Sequence, residues 1–512
     1  MKTRAAAQRL RLLAFALVLA LAPPMIEKAI GAEKTLTLDQ AIAWALGKND
    51  EILIEREAVA AADGAVTEAK GAYDPFLALE AGWRRGVDPT SSLFTGAPDG
   101  QISPAVEATE ARMSVQQLLP TGGSVSFRTT GAHQIHDGAL ALESPAYNTR
   151  VGVELRQPLL RDRATDAARL GMNVAASEHD EATASLQRTV SETVAGVERA
   201  YWGLVAARLE VGVREEAVRL AEEQLDETRI RFESGTVPDT ELSQPRAELE
   251  RRRGELLASR EAVARADNAL KLLILGDGDD GLWLQPLAPV EEAKMEVVRV
   301  DVAAALERAL ASRPELSAAK ADVDRRRSET AFARNTVWPA LDAVLSYDRF
   351  GLADGAQADL GQSFESLGDG DFDDTRIGLV LGIPLGNRRA RGARAGALSL
   401  ERQAEADLAR ARKAVRAEVL DAAAALETAG QRIEAARSAR EAAEVQLDAE
   451  RERYSVGLST NFLVLTRQND LSRARLDEIS VLTDYRTARS EMARATGSLI
   501  EERRIDVGGT AH

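Results

Sequence analysis

The sequence predicts a mainly α chain with membrane β-structure: long antiparallel coiled-coil helices joined to strands of a transmembrane β-barrel that several copies must complete. Three observations predict it. Long alanine-rich stretches without proline carry helical periodicity, segments of about ten residues alternate with period two, and the whole plan occurs twice, an internal two-fold repeat.

The repeat is clearest at two turns. RIRFESGTVPDTELSQPRAEL at 229–249 is matched by RERYSVGLSTNFLVLTRQNDL at 451–471, with a constant offset of 222. Arg231 pairs with Arg453, Phe232 with Tyr454, Gly235 with Gly457 and Leu249 with Leu471. Glycine commonly ends a helix in a left-handed turn and Pro238 suits a first helical turn, so each passage predicts the tip of a helix–turn–helix. Pro75 and Pro339 are 264 apart, as are Ala45-Leu46 and Ala309-Leu310, while RVGVELRQPLL at 150–160 and RIGLVLGIPLG at 376–386 are 226 apart. The repeats are 33–275 and 301–500, each running helix, strands, long helix, tip, return helix. Between them 276–300, with Asp-Gly turns and two prolines, reads as an equatorial linker, and 501–512 as a tail.

Only 4% of residues are aromatic and 29% are charged, a profile of helices packed along seams. The absence of cysteine excludes disulfides, thiolate metal sites and a lipidated N-terminal cysteine. Lys2, Arg4, Arg9 and Arg11 precede the apolar run Leu12–Ala22, and Ile30-Gly31-Ala32 offers a cleavage site, so 1–32 reads as a signal peptide. Its removal takes away five positive charges and one negative, moving the net charge from −16 to −20. So acidic an exported chain is a poor nucleic-acid binder. No other segment is apolar enough for a membrane helix, so any passage through a membrane uses strands.

The first helix is expected over 39–72, stopped by Tyr73-Asp74-Pro75. Strands follow over 76–158: Leu77, Leu79, Ala81 and Trp83 alternate with Ala78, Glu80, Gly82 and Arg84, and similar alternation marks Ser124–Thr129 and Arg150–Arg156. In the second repeat a helix at 301–336 precedes strands over 341–384. The stretch 111–130 reads equally as two further membrane strands or as a loop excursion, with Gln117 on the would-be lipid face. Loops at 87–110, 131–148 and 351–374 are polar. Long helices are predicted at 162–232 and 388–454, each roughly 100 Å at ~1.5 Å per residue, with return helices at 239–275 and 461–500. Four or six strands cannot close a barrel around a pore, so the chain must oligomerise.

Chemistry-bearing clusters are sparse. His133 and His136 lack a third ligand, and Asp369, Asp371, Asp373 and Asp374 lack the glycine and glutamate of a calcium loop. Tyr201-Trp202 lies in a helical seam. No enzyme activity, metal or cofactor is therefore predicted. A periplasmic coiled-coil or adaptor protein without a barrel is the alternative on these residues. An exported enzyme is disfavoured by the lack of a convergent acid, base or nucleophile set.

With RFESG and RYSVG at the tips, Gln157-Pro158-Leu159 after a strand, Arg313-Pro314-Glu315-Leu316 in the second-half helix, and the duplicated plan, the chain resembles the TolC family of outer-membrane efflux proteins over nearly its whole mature length. The resemblance implies a homotrimer whose β-barrel sits among outer-membrane lipid and continues as a coiled-coil barrel through the periplasm. It implies that the tips dock a periplasmic adaptor attached to an inner-membrane pump, and that substrates leave by tripartite efflux or type I secretion. The docking residues would be Arg231, Phe232, Gly235, Thr236, Arg453, Tyr454, Gly457, Ser459 and Thr460. Family aspartates form an acidic ring after the second tip. Leu463 and Thr466 stand there in this chain, and with Glu241 after the first tip they are the constriction candidates. Pro245 is unusual in the return helix and is expected to kink it.

Overall fold

The computed structural model describes residues 33–87, 105–137, 144–290, 298–355 and 357–506. The expected leader 1–32 lies outside them, as do 291–297 of the linker and 507–512 of the tail.

The described chain opens with a short strand, β1 (Lys34–Leu36), followed by α1 (Leu38–Lys48). Thr37 caps α1 reciprocally: its hydroxyl accepts from the Gln40 amide, and its own amide donates to the Gln40 side chain. After Asn49 comes α2 (Asp50–Lys70), then β2 (Phe76–Val87), β3 (Ala105–Leu118), β4 (Ser124–Asp137) and β5 (Ala146–Pro158). Next is α3 (Ala167–Glu233), one helix of 67 residues, then α4 (Ser243–Ile274) and β6 (Leu287–Pro289), which pairs in parallel with β1. The second repeat brings α5 (Val302–Ser312), α6 (Pro314–Asn335), β7 (Ala340–Asp354), α7 (Leu360–Asp369) and β8 (Asp373–Gly382). It ends with α8 (Arg388–Ser455, 68 residues), α9 (Asn461–Thr496) and a last short helical turn, Leu499–Glu502.

Several boundaries differ from the sequence expectation, each for a local reason. The helices expected at 39–72 and 301–336 are each two helices, broken at Asn49 and Arg313, which are 264 apart. Proline disfavours helical backbone in the residue before it, so Pro314 turns Arg313 extended (ψ 125°) and itself opens α6. Asn49 achieves the same break by capping, its side-chain oxygen accepting from the amides of Glu51 (3.0 Å) and Ile52 (3.3 Å). The stretch 111–130 lies within β3 and β4, which extend to 105 and 137. His133 and His136 are therefore on a strand and not in a loop. Gln117 on the apolar face reaches the end of the sheet, where its amide donates to the Tyr73 carbonyl at 3.3 Å. The expected loop 351–374 holds the end of β7, all of α7 and the start of β8. The first long helix begins at 167, because Asp162 has positive φ (68°) and its amide donates to the Asn335 side chain.

The described residues form two compact units, one within 58–183 and 317–410 and the other within 33–57, 184–316 and 411–506. The first holds one antiparallel sheet in the order β2-β3-β4-β5-β7-β8. One face carries Leu77, Leu79, Trp83, Val153, Leu345, Tyr347, Ile377 and Leu379, all exposed. The opposite face is charged and paired: Arg128–Glu154, Arg150–Asp348 and Arg156–Asp342 join neighbouring strands at 2.5–2.9 Å. Among the described residues β2 and β8 each have a strand on one side only.

In the other unit, Val190, Val194, Val197, Tyr201 and Leu204 of α3 and Val415, Val419, Leu426 and Ile433 of α8 are buried. Tyr201 donates its hydroxyl to the Leu36 carbonyl and meets Trp202 edge-on. The two helix breaks bind equivalent sites: the Asn49 amide donates to the Leu273 carbonyl (3.2 Å), and Arg313 to the Ala495 carbonyl (3.1 Å). Arg313 is buried and also pairs with Glu315 (2.8 Å) and Glu418 (2.9 Å), the latter shared with Arg494. Burial opposes charge on Glu315, yet the Arg313 hydrogen bond prevails and holds its carboxyl below the usual range. A depressed carboxylate pKa contributes stability above the unfolded value, and this is lost as pH falls through the folded one. Arg313→Met is expected to destabilise this unit by about 3 kcal/mol near pH 7 and by less near pH 3. Thermal melts followed by circular dichroism at both pH values check this, and equal losses at the two would contradict it.

Candidate functional site

The two tips are built alike. At the first, Gly235 has φ 75°, its amide donates to the Phe232 carbonyl (2.9 Å), and the Thr236 amide reaches back to the Arg231 carbonyl (2.9 Å). At the second, Gly457 has φ 79°, its amide donates to the Tyr454 carbonyl (3.1 Å), and the Leu458 amide to the Arg453 carbonyl (2.8 Å). Both are Schellman motifs, which satisfy the last helical carbonyls by placing one residue in the left-handed region. A side chain is strained there, so the sequence has glycine at both.

The exits differ. Pro238 leads into a 3₁₀ turn, Asp239–Leu242, before α4. Pro245 does not kink the interior of that helix. It occupies the third position of α4, in the first turn, where an amide has no intrahelical acceptor to lose. The second exit uses Thr460 as N-cap, its hydroxyl accepting from the Leu463 amide.

The tips meet through Arg231 and Tyr454. The Arg231 guanidinium lies 4.1 Å from the centre of the Tyr454 ring and is tethered by Glu227 at 2.8 Å. Tyr454 packs with Leu447, Val464 and Leu471. Burial pushes its phenol up from the ordinary value, against the pull of Arg231.

Of the expected docking residues, Phe232, Gly235, Thr236, Arg453, Gly457 and Thr460 are exposed, Arg231 and Ser459 are half-buried, and Tyr454 is buried. Ser459 turns inward and donates to Glu450. Among the constriction candidates, Glu241 and Leu463 are exposed, while Thr466 is half-buried and donates to the Phe462 carbonyl of its own helix. Sequence reasoning missed the apolar rim of the second tip: Val456, Leu458 and Phe462 are 68%, 79% and 61% exposed. Three large apolar residues flanking a left-handed glycine were the available signal.

Elsewhere, His133 stacks on Tyr147 at 4.5 Å, Asp369 ends α7, and Asp373 and Asp374 begin β8. Among the described residues no cluster of three or more His, Cys, Asp or Glu is placed to hold a metal ion, and no helix is long and apolar enough to cross a membrane.

Removing the guanidinium from Tyr454 should loosen both tips. For Arg231→Ala the expected loss is about 1 kcal/mol, a roughly fivefold faster amide exchange of 228–240 and 450–462. Hydrogen-exchange mass spectrometry reads this directly, and unchanged exchange at the second tip would show that the contact does not couple the turns.

Comparison with known proteins agrees with this architecture. The chain is 25% identical over 376 residues to the outer membrane efflux protein BepC of Brucella suis biovar 1 (strain 1330), covering 72% of this chain and 76% of that one. Its fold is similar to the Campylobacter jejuni CmeC outer membrane channel (TM-score 0.63, 15% identity, 91% and 89% of the two chains). It is also similar to the outer membrane protein VceC of Vibrio cholerae (TM-score 0.62, 18% identity, 90% and 96%). The family model described as outer membrane efflux protein matches residues 41–276 and 305–498, most of the sequence. With both halves of the repeat matched, the chain belongs to the outer membrane efflux protein family.

Proposed function

We propose that the mature chain, beginning at Glu33, assembles as a homotrimer whose strands close one barrel in the outer membrane, and that the trimer is the exit duct of a tripartite efflux or type I secretion system. The observation that carries this reading is the six-stranded sheet, apolar and exposed on one face, with β2 and β8 as open edges. Unpaired backbone groups cannot stand in lipid, and pairing β8 of one copy with β2 of the next satisfies both edges. Three copies of six strands give a barrel of 18. The tips are the docking surface for a periplasmic adaptor, which connects the duct to an inner-membrane pump. The exposed Val456, Leu458 and Phe462 at the second tip support an apolar contact with partner helices.

Native mass spectrometry in detergent is expected to give three mature chains, both for the natural sequence and for the double variant Gly235→Val, Gly457→Val. Each substitution strains a left-handed position by about 1–3 kcal/mol, so export from cells is expected to be lost in the assembled variant. A stable monomer would overturn the trimer, and undiminished export by the assembled variant would overturn docking at the tips.

The periplasmic constriction is read from Glu241, Leu463 and Thr466. A mature trimer carries about −60 formal charge, three times −20, which favours cations by field focusing. Leucine and threonine cannot hold multivalent cations as carboxylates do, leaving Glu241 as the charged candidate. Single-channel recordings should show mild cation preference and only weak block by trivalent cations, abolished in Glu241→Gln. Strong block that survives this substitution would locate the constriction at another acidic ring.

A further inference from the structure

The helix α7 lies across the apolar face of the sheet. One register row of small residues, Ala81, Ala111, Gly131, Thr149 and Gly351, runs across β2, β3, β4, β5 and β7, and α7 is seated on its β4, β5 and β7 members. Ser363 is fully buried against this row. Its carbonyl accepts from the Thr149 hydroxyl (2.8 Å), and its own hydroxyl donates to the Gly351 carbonyl (3.0 Å). The Ser366 hydroxyl oxygen accepts from the Leu352 amide at 3.0 Å. A Cβ at Gly351 would collide with the Ser363 carbonyl oxygen. Polar bonds and close backbone approach thus hold α7 down, and its large apolar side chains Leu360 and Phe364 remain about 40% exposed.

These two side chains overhang the unfilled end of the row. With Leu79, Ala81, Ala111 and Met113 they line an open, mainly apolar cleft of about 370 Å³. Along the helix Leu360, Phe364 and Leu367 recur on one side, and the exposed Gln362, Glu365 and Asp369 on another, the pattern of a helix lying at a membrane interface. The cleft is continuous with Leu79 and the rest of the exposed apolar sheet face.

We propose that this cleft holds one acyl chain of a membrane lipid, clamped between α7 and strands β2 to β4. The proposal rests on the barrel reading, in which the apolar sheet face is turned to lipid. An apolar cleft opening onto hydrocarbon offers water too few polar partners to stay, and a lipid chain is the apolar molecule at hand. Its volume lies within the range of small-molecule sites, about 300–1,000 Å³.

The test uses the full mature protein in vesicles of phosphatidylethanolamine carrying a diazirine midway along one acyl chain. After illumination, mass spectrometry maps the lipid adducts. Adducts are expected at Met113 and Phe364 as well as at Leu379 on the open sheet face. Ala111→Phe, which fills the cleft, should reduce the first two to background and leave Leu379 labelled. Leu360→Ala, which removes one wall without adding bulk, should lower Met113 labelling too, and serves if Ala111→Phe does not assemble. Labelling of Leu379 without Met113 or Phe364 would mean that a neighbouring copy covers the cleft, overturning the proposal but not the barrel. Adducts that persist in both variants would reduce the cleft to general lipid contact and overturn it as well. No adduct anywhere on the face would overturn the barrel reading, and the proposal with it.

Discussion

Carbonyl groups at the ends of the return helices α4 and α9 have no acceptor role left within their own helix, and both repeats solve this in the same place. A break in the first helix of each repeat delivers a side-chain donor to the orphan carbonyl: Asn49 to Leu273, and Arg313 to Ala495. The acceptors are 222 apart and the donors 264 apart, the same offsets that relate the tips and the prolines. Helix register in that unit follows from this junction. It fixes where α1 and α5 stop, where α2 and α6 begin, and which level of α8 supplies Glu418. The two solutions differ in reach. Asparagine makes its bond alone, whereas arginine brings a buried charge and therefore needs Glu315 and Glu418 beside it.

Much of this was legible in the sequence because duplication doubles every signal. Glycine at 235 and 457 marked left-handed turns, and both have φ near 75–79°. The valine and tyrosine seam of α3 was readable from steps of three and four. The helix break at Asn49 was not, since an asparagine within an amphipathic run gives no sign of capping until its side chain is seen on the Glu51 and Ile52 amides. Pro314 does mark its break in the sequence, since proline turns the residue before it away from helical backbone. The α7 helix escaped because LGQSFESLGD is short and set among glycine and aspartate, and its seat is formed by residues from three strands, two of them far away in sequence. The Arg231–Tyr454 contact joins residues 223 apart, which no local pattern reveals.

The tips combine a hydrogen-bonded frame with an exposed apolar surface. Schellman bonds and the buried Tyr454 hold the backbone, while Val456, Leu458 and Phe462 stay in solvent. Such a division suits the docking proposed for the tips, since little ordering entropy would be lost if a partner covered the apolar rim. The differing exits, a 3₁₀ turn with Pro245 after one tip and a threonine cap after the other, leave the duplicated turns chemically unequal.

In the barrel proposed above, the charged face of the sheet would line the duct, with a consequence for whatever passes along it. Arg128, Arg150 and Arg156 are each clasped by a carboxylate on an adjacent strand, so these arginines present dipoles instead of isolated charges. The potential of a dipole fades with distance faster than that of a lone ion, and salt screens what remains within about 10 Å. A solute near the middle of a wide tube would find this wall wet and polar but nearly silent electrically, much as a hydrated gel is to a small molecule. Cargo of either sign could slide past without being gripped, and sorting by charge would fall to narrower places.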